Sequence, residues 1–105
     1  MTIEQFGDVL AGTGLPVVYL SYGANDVPDM PFITYFEEGS DNFGADGKVY
    51  HNIREMRVDL WSVKKDIENE ALIESALDAA GIFWNKECEA DDDEHCQRTI
   101  YTMEV

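Results

Sequence analysis

Basic residues are scarce in this chain: seven Lys and Arg face 22 Asp and Glu over 105 residues, a formal net charge of −15. Nucleic-acid binding draws much of its strength from cations that displace phosphate counterions, so the deficit argues against DNA or RNA as a bound partner. The same balance repels an anionic membrane surface. No apolar run approaches the ~18 residues that a membrane-spanning helix needs. The stretch Met1 to Asp8 has neither the basic nor the apolar region of a secretory signal, so the product is expected to stay where it is made. Cysteine is nearly missing too. Cys88 and Cys96 are the only two, and without an export signal both are expected as reduced thiols.

Catalytic residue types are equally thin. The histidines are His51 and His95, and Ser21, Ser40, Ser62 and Ser75 fall in no Gly-x-Ser-x-Gly turn. His95 and Cys96 are sequence neighbours, whereas catalytic Cys–His pairs meet through the fold. Cys88, His95, Cys96 and the nearby aspartates lack the close paired spacing of a structural zinc site. Should the last two strands align there, Cys88 and Cys96 become cross-strand neighbours. Asp41-Asn42-Phe43-Gly44-Ala45-Asp46-Gly47 looks like a calcium loop. With Gly47 at its glycine position, however, the closing acid is replaced by Ile53. Glu37, Glu38 and the run Asp91-Asp92-Asp93-Glu94 offer paired carboxylates, but such pairs arise by chance at this acid content. Gly12-Thr13-Gly14 lacks the lysine and helix of a phosphate loop. These patterns supply no catalytic residue, metal or cofactor, and the expectation is a protein that is not an enzyme.

What is present is a foldable pattern. Hydrophobic residues make up 45% and charged residues 28%, the balance of an ordinary globular chain, and the length suits one domain over residues 1–105. Thr2-Ile3-Glu4-Gln5 has the form of a capping box, and Ile3, Phe6, Val9 and Leu10 follow at helical spacing until Gly12 or Gly14. Pro16–Leu20 and Phe32–Phe36 read as strands separated by a loop from Gly23 to Pro31. Gly39 to Gly47 reads as a polar connection. Val49–Trp61 reads as the longest strand, with Met56, Val58 and Leu60 alternating against Glu55, Arg57 and Asp59. Asp66 caps a second helix whose predicted apolar side is Ile67, Ala71, Ile73, Ala76, Leu77 and Ala80, stopped by Gly81. Ile82–Cys88 and Gln97–Val105 read as final strands around the acidic turn Ala90 to His95. Trp61 and Trp84 are expected as packing residues.

The expected fold class is α+β, in the order α-β-β-β-α-β-β. It comprises a mixed, mainly antiparallel sheet with two helices on one face. The other face is left uncovered, carrying the charged side of the long strand. Five of the seven basic residues, Lys48, Arg54, Arg57, Lys64 and Lys65, fall between positions 48 and 65, and this polarity suits contacts between acidic and basic surfaces of identical subunits.

One segment is more specific than any chemical motif. Ser40-Asp41-Asn42-Phe43-Gly44-Ala45-Asp46-Gly47-Lys48-Val49-Tyr50 resembles the central signature of a family of small proteins of tailed phages and prophages. Lys64-Lys65-Asp66 and Ala76-Leu77-Asp78-Ala79-Ala80-Gly81-Ile82 match the same family's helix and its exit. The likeness runs from about Pro16 to the C-terminus and keeps the order of elements. Cys88, Cys96 and the Asp91–Asp93 run lie outside it. The family resembles tail terminators, or tail-completion and tail-to-head joining proteins, so the resemblance implies a tail-terminator-like subunit without cofactor. The implied partners are further copies of itself in a hexameric ring, the tail-tube protein and the head–tail connector. DNA would pass through the ring without specific binding. The implied setting is the bacterial host cytoplasm during assembly and then the virion tail or neck.

The expected contact loop comprises Ser40, Asp41, Asn42, Phe43, Asp46 and Lys48, and the expected inter-subunit charge partners are Arg54, Arg57, Lys64 and Lys65. For Phe43, anchoring of the loop on the core is an equal alternative. A competing function is an acidic DNA mimic, or another small phage protein that binds and inhibits a host protein.

Overall fold

The computed structural model describes residues 1–20, 28–40, 43–45, 47–51, 53–91 and 95–105. The order is α1 (Ile3–Ala11), β1 (Val17–Tyr19), β2 (Phe32–Ser40), β3 (Phe43–Ala45), β4 (Lys48–His51), β5 (Arg54–Ser62), α2 (Ile67–Ala79), β6 (Trp84–Asp91) and β7 (Cys96–Glu104). Five strands form one sheet in the order β1-β2-β5-β7-β6, in which only β1–β2 is parallel. The fold is therefore α+β with a mixed, mainly antiparallel sheet.

Each helix begins and ends for local reasons. Thr2 Oγ1 accepts from Gln5 N while Gln5 Oε1 accepts from Thr2 N, so the capping box satisfies two otherwise unpaired donors of α1. Asp66 caps α2 by accepting from Asn69 N. At the other end Gly81 takes a φ of +72°, and the Ile82 and Gly81 amides bond back to the carbonyls of Leu77 and Asp78. This left-handed stop requires glycine, and it turns Ile82 into the core beside Leu77. Gly7 has a different reason. A Cβ there would meet Tyr35 Oη at 2.5 Å, so its absence lets the β2 tyrosine pack against α1.

The core lies on one side of the sheet. Phe6 and Leu10 of α1 and Ile73 and Leu77 of α2 cluster with Ile33, Met56, Val58, Leu60, Tyr101 and Met103 from the strands. Fully burying each such side chain contributes roughly 1.5–3 kcal/mol.

Two expectations need correction. Val49–Trp61 is two strands, not one: β5 starts at Arg54, and β4 pairs with β3 in a separate two-stranded sheet. The ladder of β2 with β5 reaches Ser40↔Arg54, and the next pair is Phe43↔His51, so β3 and β4 prolong the β2–β5 hairpin as an arm. A register shift between Glu37 and Gly39, a bulge that places Glu38 as the extra residue, precedes this extension. Nine-residue strands such as β2 and β5 span about 30 Å, and the molecule is 49 Å long.

The inward side of α2 is also different. Ile67 is 71% exposed and Ala71 is exposed, whereas Glu70 is buried with Ile73 and Leu77. The helix is rotated to bring a carboxylate inward, because two lysines are there to receive it. Leu77→Ala should therefore lower stability by about 2–5 kcal/mol, whereas Ile67→Ala should stay within about 0.5 kcal/mol of the parent. Chemical denaturation of both variants checks this; equal losses would place the helix face wrongly.

Candidate assembly surfaces

Side chains alternate along a strand, so the residues between the core positions form the opposite sheet face. This face is not a simple charged surface. Phe32 stacks on Trp61 with centroids 5.9 Å apart and an interplanar angle of 11°. On the other side of Trp61 the Arg98 guanidinium lies 4.8 Å from its centroid, and Arg98 then pairs with Glu89 at 2.6 Å. One row thus crosses β2, β5, β7 and β6. Trp61 Nε1 donates to Thr34 Oγ1 at 2.9 Å, which fixes the indole.

A second group sits beside it. Arg57 grips Asp59 in bidentate fashion, with Nε to Oδ1 at 2.8 Å and Nη2 to Oδ2 at 3.0 Å. The same guanidinium lies over Phe36, 5.6 Å from its centroid. The hydrogen bond to Asp59 pushes the Arg57 pKa up from its ordinary value. Asp59 is only 2% exposed, so the expected charged face of β5 carries one carboxylate that water hardly reaches.

On the helix side, α2 is pinned to β6 by a polar cluster. Lys65 Nζ lies 2.9 Å from both Glu70 carboxylate oxygens, and Lys86 Nζ reaches Glu70 Oε1 at 3.3 Å and Glu74 Oε2 at 3.1 Å. Tyr101 Oη donates to Glu74 Oε2 at 2.8 Å, and Trp84 Nε1 donates to Asp78 Oδ1 at 2.9 Å. Burial, reinforced by Glu74, raises the Tyr101 pKa far above its ordinary value of 10.0. Hydrogen bonds to Glu70 and Glu74, respectively, raise Lys65 and Lys86 above 10.5.

The cysteines do not meet. Cys88 is opposite Thr99 and Cys96 opposite Asp91, which places the two thiols on opposite sheet faces. Both are free; Cys96 is buried, and Cys88 is exposed with Sγ 3.3 Å from Lys65 Nζ. Among the described residues no three His, Cys, Asp or Glu side chains gather as a metal-holding group.

Of the expected contact loop, Ser40 closes β2, Phe43 opens β3 and Lys48 opens β4. Asp41, Asn42 and Asp46 lie outside the described residues. Of the expected charge partners, three are engaged within the subunit. Arg54 donates to Met1 O and approaches Glu37 at 3.9 Å, Arg57 holds Asp59, and Lys65 holds Glu70. Lys64 is exposed and is the one fully described cation without a carboxylate partner among the described residues. The sequence pattern missed the inward Glu70. Lys65, five residues before it, was the only local signal, and Lys86 comes from a distant strand.

No family model matches this chain, and no curated protein matches it. No helix among the described residues is long and apolar enough to cross a membrane.

The polar cluster has a pH signature. The raised Tyr101, Lys65 and Lys86 values mean that the unfolded chain releases these protons first as pH rises. Their stabilisation is complete below about pH 10 and falls above it. Denaturation midpoints of the parent should therefore drop steeply above that pH, and Tyr101→Phe should show a shallower drop. Identical slopes would remove Tyr101 from the account.

Proposed function

We propose that this protein is a structural subunit of the tail-completion type, assembling with copies of itself into a ring that ends a phage tail tube and joins it to the head connector. The observation that carries this reading is the arm. Its strands coincide with the segment of the family resemblance, Ser40 to Tyr50, and prolong the β2–β5 hairpin past the five-stranded sheet. A lone two-stranded ribbon is only marginally stable in water. An arm of that kind gains most by lying against a neighbouring surface, as a laterally packed ring subunit would require.

Two further features support the reading. The outer edges of β1 and β6 have no strand partner among the described residues, and an open edge is a natural place for association. Edge strand β6 carries Lys86, Glu87 and Glu89, charges that discourage indiscriminate pairing. The high acidity would also suit a conduit along which DNA moves without adhering.

The test is assembly with and without a phage tail-tube protein, read by sedimentation and negative-stain imaging. Closed rings, or a ring-shaped cap on tube ends, are expected. A variant in which residues 41–52 are replaced by a short Gly-Ser turn should keep its circular dichroism spectrum and lose assembly. A parent chain that stays monomeric and ignores the tube would sink the proposal.

A further inference from the structure

Helix α2 is apolar on two sides. Ile73 and Leu77 face the core. Yet three of the six exposed large apolar side chains among the described residues, Val63, Ile67 and Leu72, fall on α2 or on the turn that leads into it. Ile67 and Leu72 are 71% and 46% exposed, and Ala71 and Ser75 continue this outer surface as small residues. A surface helix ordinarily carries one apolar stripe and a polar opposite face. The second apolar side of α2 faces water in the lone subunit.

Two of the charges on this side are uncompensated. Lys64 and Glu68 are both exposed, and neither makes a hydrogen bond or ion pair with any described residue. They are four positions apart, but Lys64 precedes the first helical residue, Ile67, so the geometry that pairs such residues across one helical turn is missing. Glu68 lies in the first turn of α2, where the helix dipole favours its charge without covering it. Its neighbours one turn on are Ala71 and Leu72, and Lys64 directly follows Val63. Each charge therefore borders apolar surface, and the patch holds one of each sign side by side.

We infer that this outer side of α2 is a twofold contact between two copies of the chain. The helices lie antiparallel about an axis near Ile67, Lys64 of each copy meets Glu68 of the other, and Val63, Ile67, Ala71 and Leu72 close around the two ion pairs. A second copy is the occupant because the patch is its own complement. A twofold rotation brings each charge opposite its counterpart, which is what an isologous interface requires. The short side chains of Ala71 and Ser75 let the two helices approach to the roughly 8–10 Å of ordinary helix packing. The contact closes after two copies, so it stands independently of the ring proposed above.

Sedimentation equilibrium of the purified chain tests it. The parent should form dimers, and Lys64→Glu and Glu68→Lys should each weaken dimerisation about tenfold or more, because each sets like charges face to face twice. Glu68→Lys is the discriminating variant. It makes the chain less acidic, so association governed by net charge strengthens where the interface demands weakening. An equimolar mixture of the two variants places opposite charges across the axis at both positions, and association should return there as a heterodimer. Ile67→Ala, at a position whose exposure leaves folding stability near that of the parent, should weaken dimerisation as well; it keeps the test clear of folding should a charge variant lose its circular dichroism spectrum. A parent that stays monomeric at millimolar concentration overturns the inference. So does dimerisation that Glu68→Lys leaves unchanged or strengthens, or a mixture that stays apart.

Discussion

With seven cations for 22 carboxylates, the place of each cation decides which acids the fold can bury. Among the described residues two carboxylates are nearly closed to water, Asp59 at 2% exposure and Glu70 at 3%. An unpaired carboxylate at that depth would cost several kcal/mol or take up a proton. Arg57 meets the first with a bidentate grip, and Lys65 and Lys86 meet the second from two sides. Buried ion pairs are weak evidence for net stability, since desolvation offsets much of the attraction. Their consequence here is orientation. Glu70 can turn inward only where β6 brings Lys86, so the charge cluster sets the rotation of α2 and leaves Ile67 in water.

The same economy shapes the open side of the sheet. No helix among the described residues covers it, yet Thr34, Asp59 and Ile100 are at most 5% exposed. Their neighbours provide the cover. Phe32, Trp61 and Arg98 lie stacked across the strands, and Arg57 lies over Phe36 while holding Asp59. Arginine suits this role because its flat guanidinium stacks on rings and still pairs with carboxylates through its edge. Two of the three arginines therefore act as roofing for the sheet, which removes them from the pool available to a partner. The cations that remain for association are fewer than the total suggests.

Much of this was legible in the residues, and the failures have physical causes. Capping boxes, glycine stops and strand alternation are local, so Thr2, Asp66, Gly81 and the alternating run Met56–Leu60 were placed correctly. The five-stranded mixed sheet followed from hairpin-like spacing. By contrast, Val49–Trp61 looked continuous because β-rich composition does not reveal where a strand changes partner. The change of partner between His51 and Arg54 depends on register. Asp59 looked like a solvent residue, and nothing in the pattern singled out Glu70, because their partners are set by tertiary contacts, a guanidinium folded back along β5 and Lys86 from β6. The basic run at 48–65 suggested a common docking patch. Strand alternation and helix rotation instead sent its members in different directions, and only Lys64 kept a free charge among those whose side chains are described.

That leftover charge matters because of how screening works. Copies that each carry −15 repel one another at a distance. At physiological ionic strength the Debye length is about 8 Å, well short of the 22 Å thinnest extent of the molecule. Charges on the far side of a subunit are then nearly invisible to its neighbour, and association is decided by the groups that come within contact range. A single cation flanked by apolar side chains can outweigh a large net charge there, provided it meets a carboxylate within contact range. Added salt has two opposing effects on such a contact: it removes the diffuse repulsion first, and at higher concentration it weakens the local ion pairing. Association strongest at intermediate salt is the behaviour expected of an acidic subunit held by a few well-placed cations.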